Sequence, residues 1–186
     1  LIGILAAQRR WDEVLQVVAT MDSQSLLDSR ESAKDLSPAQ VNPPTASSSA
    51  RAEVTPQTVK LALAAWRLRR LVIVVPGGGR IWRIDVRAGV ATGVDAGDAA
   101  LLARHAATLG GNPDDTAAAH AVAGAFFPRD LAADGRLDLL VIGPLARAPL
   151  AALRIASGGR DLVRVPGLLP RAVVGRAKAG VAIVIG

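Results

Sequence analysis

The chain has 186 residues, of which 51% are hydrophobic and 20% are charged, a balance typical of one folded domain with some flanking segments. No run reaches the roughly 18 uninterrupted apolar residues of a membrane span, so the sequence predicts no membrane partner. Because cysteine is absent, these residues exclude a disulfide framework, a thiolate zinc site and a cysteine nucleophile. This composition fits a cytoplasmic protein.

The net charge of +6 and the pI of about 11.1 raise the question of nucleic-acid binding. The arginines are scattered, however, with only short pairs such as Arg9-Arg10 and Arg69-Arg70. Aromatic residues make up 3% of the chain and tyrosine is absent, so few side chains are available on which bases could stack. The sequence therefore disfavours nucleic acid as a partner.

Residues 1–28 predict a helical hairpin, with helices over residues 2–8 and 11–27. Apolar residues recur at three- and four-residue steps and so share one face: Leu5, Trp11, Val14, Leu15, Val18 and Met21. A single helix pair cannot bury such a face by itself. Two alternatives stay open: the pair packs on helices that precede it, or it docks on the domain that follows.

Residues 29–55 have a different composition, with three prolines, the run Ser47-Ser48-Ser49 and almost no large apolar side chains. Such a composition is typical of a flexible linker or long loop. Folding resumes at Thr55, a suitable N-cap residue, followed by Pro56 at the first helical position. We expect the third helix to end near Arg67.

Three strands are predicted next, over residues 71–75, 80–86 and 90–94. The second alternates, so we expect Ile81, Arg83 and Asp85 to face one side of the sheet. Trp82, Ile84 and Val86 are then expected on the other side. The glycines at residues 77–79 resemble a phosphate-binding loop only superficially, because no Gly-Lys-Ser/Thr ending and no helix follow them. They predict a hairpin turn.

Two helices follow, one beginning at the N-cap residue Asp98 and ending at residues 110–111, the other spanning residues 116–127. Asp114 and Asp115 precede the second helix, where carboxylates favour the helix N-terminus, so we interpret them as capping residues rather than an acid/base pair or metal ligands. His105 and His120 are interpreted as partly buried structural histidines, since there is no cysteine to activate.

Residues 137–142 form a short apolar run typical of a strand that is buried on both faces, and Gly143-Pro144 ends it. The chain then reaches a compact apolar segment at residues 149–153. Further strands are predicted over residues 160–165 and 181–186, with a helical turn at residues 168–174. Because the last run ends like a strand before its crossover loop, we expect the fold to continue beyond Gly186.

Several of these blocks resemble the N-terminal half of a CHAT domain, the caspase-like module that follows tetratricopeptide repeats in many bacterial proteins. Residues 11–28 resemble the last repeat and the segment after it, and residues 71–86 are similar to the first hairpin of the domain. Residues 138–153 resemble the family block Pro-Asp-Gly-x-Leu…Leu-Pro-Phe-x-Ala-Leu. Residues 162–166 and 181–186 resemble the next two strands. The similarity covers about two thirds of the chain.

The chain departs from the family pattern at three positions: Ile142 stands where Asp is usual, Leu150 replaces Phe and Gly167 replaces Ser. In active relatives a His-Gly pair and a Cys follow this half, each at a strand end. Neither is present here, so the resemblance assigns no catalytic residue, and no cofactor-binding or metal-binding residue is predicted either.

The sequence thus predicts an α/β, caspase-like, three-layer half-domain with a mixed sheet over residues 56–186, preceded by the helical hairpin and the linker. The resemblance implies the non-catalytic part of a regulated cysteine endopeptidase. The alternative is a catalytically inert scaffold that binds a protein partner through its helices. An arginine-rich nucleic-acid binder is the weakest of the three hypotheses.

Overall fold

The computed structural model describes residues 1–21, 54–67, 69–128 and 136–168, and it has three layers, with helices on both faces of a mixed sheet. The helices are α1 (Ile2–Ala7), α2 (described over residues 11–21), α3 (Pro56–Ala65), α4 (Ala99–Gly111), α5 (Thr116–Phe126) and α6 (Leu150–Ala156), with a short 3-10 helix η1 (Pro144–Arg147). The strands are β1 (Arg70–Gly77), β2 (Arg80–Arg87), β3 (Val90–Asp98), β4 (Leu137–Val141) and β5 (Leu162–Arg164). The predicted three-layer α/β architecture is therefore confirmed.

The five strands lie in the order β3-β2-β1-β4-β5. Two antiparallel pairings join β1, β2 and β3, and two parallel pairings join β1, β4 and β5. Both parallel steps advance in the same direction across the sheet, and α4, α5 and α6 on these crossovers all cover the same face. When successive parallel crossovers run in one direction with the same handedness, their helices must lie on the same face of the sheet.

The face that α4, α5 and α6 cover, called here the crossover face, holds one of two hydrophobic clusters. Val72 and Val74 of β1 contribute to it, as do Leu137 and Leu139 of β4. Phe126 of α5 is fully buried against them. In β2 the register places Arg83 beside Val74 and Asp85 beside Val72, so both belong to this face together with Ile81. The predicted alternation along β2 is confirmed.

The opposite face, called here the N-terminal face, is covered by α1, α2 and α3. Leu71, Ile73 and Val75 of β1 pack there against α1, α2 and α3 side chains that include Leu5 and Leu15. Of the two alternatives for the helix pair, the structure thus shows docking on the sheet. Met21, expected on the same face as Val14 and Val18, is 42% exposed at the end of the described part of α2.

A backbone contact without side chains holds α1 against the β1–β2 turn. A Cβ atom added to Gly77 would lie 2.7 Å from the Gly3 N and 2.8 Å from Cγ2 of Ile2. A Cβ atom on Gly3 would lie 2.8 Å from the backbone of Gly77 and Gly78. Both distances are shorter than real Cβ contacts, so only glycine allows the helix to approach this closely.

A second close approach places α2 over β3. The Trp11 ring lies where a Cβ atom on Gly93 would be, only 2.5 Å from the ideal position. The same ring makes a tilted contact with Trp82 at a centroid distance of 6.2 Å, and the Trp82 Nε1 donates to the Gly77 carbonyl at 3.0 Å. Because Gly93 has no side chain, the Trp11 ring can pack directly against the backbone of β3.

The predicted caps form as expected. The Thr55 hydroxyl accepts from the Thr58 N–H, and the Asp98 and Asp115 carboxylates accept from the N–H groups of Leu101 and Ala118. Each satisfies one of the free donors at a helix start. The glycines at 78 and 79 form the two-residue β1–β2 turn with positive φ, which confirms the hairpin.

The bounds of β3 and β5 differ most from the prediction. β3 extends to Asp98, four residues further than expected, because an irregularity opposite Ile81 and Trp82 lets the pairing continue past the glycine-rich end. β5 is confined to three residues. Three predicted segments lie outside the described residues. They are most of the linker, the helical turn at residues 168–174 apart from its first residue, and the strand at residues 181–186.

The Gly3–Gly77 contact gives the first testable prediction. The substitution Gly77→Ala should lower the free energy of unfolding by about 1–3 kcal/mol, because the new methyl group overlaps the α1 backbone. Gly124→Ala is the matched control, since a Cβ there meets nothing within 4 Å in the middle of α5. This control should gain about 0.5–1 kcal/mol. Denaturant unfolding measures both, and equal effects at the two positions would contradict the close contact.

Candidate functional site

An open depression lies at the C-terminal ends of β4 and β5. It has a volume of about 670 Å³ and is lined by Leu140, Val141, Arg164, Val165 and Pro166. Open α/β sheets place their binding crevices at this end of parallel strands. The described lining is mostly apolar and includes one arginine, so this part of the depression suits a ligand that is apolar with one acceptor or anionic group.

The connection after β4 turns sharply at Gly143. This residue has φ 79° and ψ −154°, a conformation that only glycine adopts readily, and a Cβ there would lie 3.1 Å from Cγ of Pro76. The ends of β1 and β4 thus meet at one point of the sheet. The turn directs the chain into η1, whose Leu145 is fully buried on the crossover face.

The guanidinium of Arg164 is anchored at the end of β5. Its Nη2 donates to the Ala148 carbonyl at 3.0 Å, which ties β5 to the loop between η1 and α6. Partial burial lowers the pKa of Arg164 from its ordinary value, although an arginine remains cationic at neutral pH. The residue is exposed and keeps further N–H donors. It can therefore bind a carbonyl or carboxylate in the depression.

Among the residues that the structure describes, the lining holds apolar surface, backbone groups and one guanidinium. These groups can bind and orient a ligand. Elsewhere in the described part of the chain, no three His, Cys, Asp or Glu side chains converge as metal ligands would. None of the described helices is long and apolar enough to cross a membrane.

At the opposite end of β4, Asp138 is a buried carboxylate that is only 1% exposed. Arg136 Nε donates to its Oδ1 at 3.2 Å, and Arg69 Nε lies 3.2 Å from Oδ2 as an ion pair without hydrogen-bond geometry. The guanidinium of Arg69 also lies over the Trp66 ring, 5.8 Å from its centroid. Two cations thus lie beside one buried anion, whose charge would otherwise be left uncompensated away from water.

The histidines and aspartates that the sequence singled out belong to no three-residue metal-ligating group in the described part of the chain. His105 is partly buried in α4, as expected. His120 is exposed, so its expected burial was wrong; the buried positions of α5 on either side of it, such as Ala119 and Val122, turn it outward. Asp115 caps α5 and Asp114 is exposed.

Arg164 and Asp138 are the two polar residues that the sequence interpretation missed. A signal for Asp138 was present, since an acidic residue inside an apolar strand needs compensating charge and Arg136 lies two positions before it. Nothing comparable distinguished Arg164 from the many other arginines. Only the pairing of β5 with β4 places it at the rim of the depression.

No protein-family model, curated protein or solved structure matches this chain.

The buried charge of Asp138 gives the second prediction. Asp138→Asn keeps the volume of the side chain but removes the anion, so we expect a loss of about 1–3 kcal/mol in the free energy of unfolding. Glu13→Gln is the control, because its pair with Arg10 is exposed and contributes about 0.5 kcal/mol or less. Thermal and denaturant unfolding distinguish the two. Equal, small effects would mean that the buried pair contributes nothing.

Proposed function

We propose that this chain is the non-catalytic N-terminal part of a CHAT-type caspase-like protein, which acts as a regulated cysteine endopeptidase when complete. The observation that carries the proposal is the open depression at the C-terminal ends of β4 and β5. Beside it, β5 borders the described sheet, where further parallel strands can be added. The resemblance of residues 138–153 to the family block supports the same assignment.

In this proposal the chemistry belongs to residues after Gly186. A cysteine thiolate at one later strand end attacks the peptide carbonyl carbon, and a histidine at another donates a proton to the leaving amine; water then hydrolyses the thioester. Leu140 and Val141 contribute apolar wall to the peptide groove, and Arg164 holds an acceptor of the bound peptide. The present chain positions the peptide and does not cut it.

The helix pair supplies the regulation in this proposal. Its inner side shares the hydrophobic cluster of the N-terminal face with β1 and β2, so a shift of α1 or α2 reaches the sheet directly. On its outer side Leu1 and Ile4 are 78% and 64% exposed. Such exposed apolar residues suit a neighbouring helical repeat or a protein partner.

The test uses the complete gene product. Its sequence beyond Gly186 is expected to contain a His-Gly pair and a cysteine at successive strand ends. A thiol-directed probe should label that cysteine, and peptide cleavage should disappear in its Cys→Ala variant while partner binding persists. If the partner is bound but keeps its full length with an intact dyad, the inert-scaffold alternative is correct.

The third prediction concerns the groove wall in that complete protein. Arg164→Ala removes one charge-assisted hydrogen bond to the peptide, worth about 1.5–3 kcal/mol, so kcat/KM should fall by about 10- to 100-fold. Arg154→Ala is the control, since Arg154 is also an exposed arginine with a backbone acceptor but does not line the depression. Unchanged cleavage by the Arg164 variant, with cleavage abolished by the cysteine variant, would remove Arg164 from the groove without removing the peptidase.

A further inference from the structure

Strand β3 borders the sheet on the side opposite β5, and among the described residues no strand pairs with its outer edge. Its segment from 90 to 94 carries no charge, and Val90 and Val94 are 63% and 47% exposed. Long, uncharged edge strands with exposed apolar side chains are ready to pair with another strand. This edge has neither lysine nor proline, and its two aspartates and its irregularity all lie beyond residue 94.

The turn before β3 determines which of its backbone groups face outward. Ala88 and Gly89 both have positive φ, as in the two-residue turns that join antiparallel strands, so Arg87 and Val90 form a hydrogen-bonded pair. Hydrogen-bonded pairs then recur at every second position, at Thr92 and Val94. The N–H and C=O groups of Ala91 and Gly93 consequently point away from β2, toward the free edge.

We propose that this edge binds the same edge of a second copy of the chain, antiparallel, around a two-fold axis at Thr92. In this register Ala91 of one copy forms hydrogen-bonded pairs with Gly93 of the other, which uses the outward backbone groups. Val90 of each copy then faces Val94 of the other, which gives two identical pairs. Both pairs occupy non-hydrogen-bonded positions, where side chains lie closest. An axis at Val94 instead would set the apolar Val90 against Asp98.

Charge does not select the register. Asp95 of one copy lies opposite Gly89 of the other, on the N-terminal face of the sheet. The depression that includes Gly89 is lined by Arg9 and Arg10 but also by Asp12 and Glu13, and Arg10 already binds Glu13. The register therefore rests on the outward backbone groups and the facing valines.

The paired segment is short, and such an interface is smaller than the roughly 1,600 Å² of a standard stable complex. The dimer is therefore weak and depends on concentration. Sedimentation velocity of the chain from low to several hundred micromolar should show a reversible monomer–dimer equilibrium. A monomer over the whole range would overturn the proposal.

The absence of cysteine allows a test of the register. In the Thr92→Cys variant the two new thiols face each other across the axis at a Cα distance of about 4.5 Å, within the range of a disulfide. In the Val94→Cys variant they are about 13 Å apart along the strands and cannot join. Mild oxidation should give a covalent dimer of the first variant and not of the second. Equal cross-linking of the two variants would overturn the proposed axis.

Charge substitutions test the same pairing in solution. Val94→Lys should weaken dimerisation at least tenfold, and adding Val90→Glu to it should restore association, because the new glutamate faces the new lysine of the other copy. Ile155→Lys is the control, since Ile155 is an exposed apolar residue on α6, away from β3, and its substitution should leave the equilibrium unchanged. Circular dichroism checks the fold of each variant. Failure of the Glu/Lys pair to restore the dimer in folded protein would contradict the inference.

Discussion

The structure depends on the burial of β1 on both of its faces. The side chains at residues 71–75 are all inaccessible to solvent. Val72 and Val74 belong to the cluster of the crossover face, and Leu71, Ile73 and Val75 belong to the cluster of the N-terminal face. A strand of this kind requires a helical layer on each side, because burial of apolar area is the main stabilising contribution in folding. The burial of residues 71–75 therefore requires both helical layers.

Much of the fold was predictable from the sequence because its signals are local. The Thr55-Pro56 helix start, the carboxylate caps and the alternation along β2 each follow from neighbouring residues and appear as expected. The failures concern contacts between distant segments. His120 stands one turn before the apolar Ala123 in the sequence, but which side of α5 is covered is decided by packing. The depression likewise needs residues from β4 and β5 to be adjacent, and no local pattern records that adjacency.

The large number of arginines has a structural explanation in many places. The Arg70 side chain binds the Asp85 carboxylate through both Nε and Nη2, Arg80 binds Asp95, and Arg83 donates to the Phe127 carbonyl at the C-terminus of α5. The planar guanidinium suits such two-point and carbonyl contacts better than an ammonium group does. The basic composition is thus tied to holding strand ends and helix ends together, which agrees with the scarcity of aromatic residues that a base-stacking surface would need.

The glycine contact between α1 and the β1–β2 turn also affects the order of folding. Helix α1 has six residues, too few to be stable alone in water. Its contact with the β1–β2 turn joins positions more than seventy residues apart in the sequence. Closing a loop of that length costs chain entropy before any contact compensates for it. The β1–β2 hairpin is local and forms without this cost. The beginning of the chain is thus expected to be among the last parts to become ordered, after the sheet that receives it.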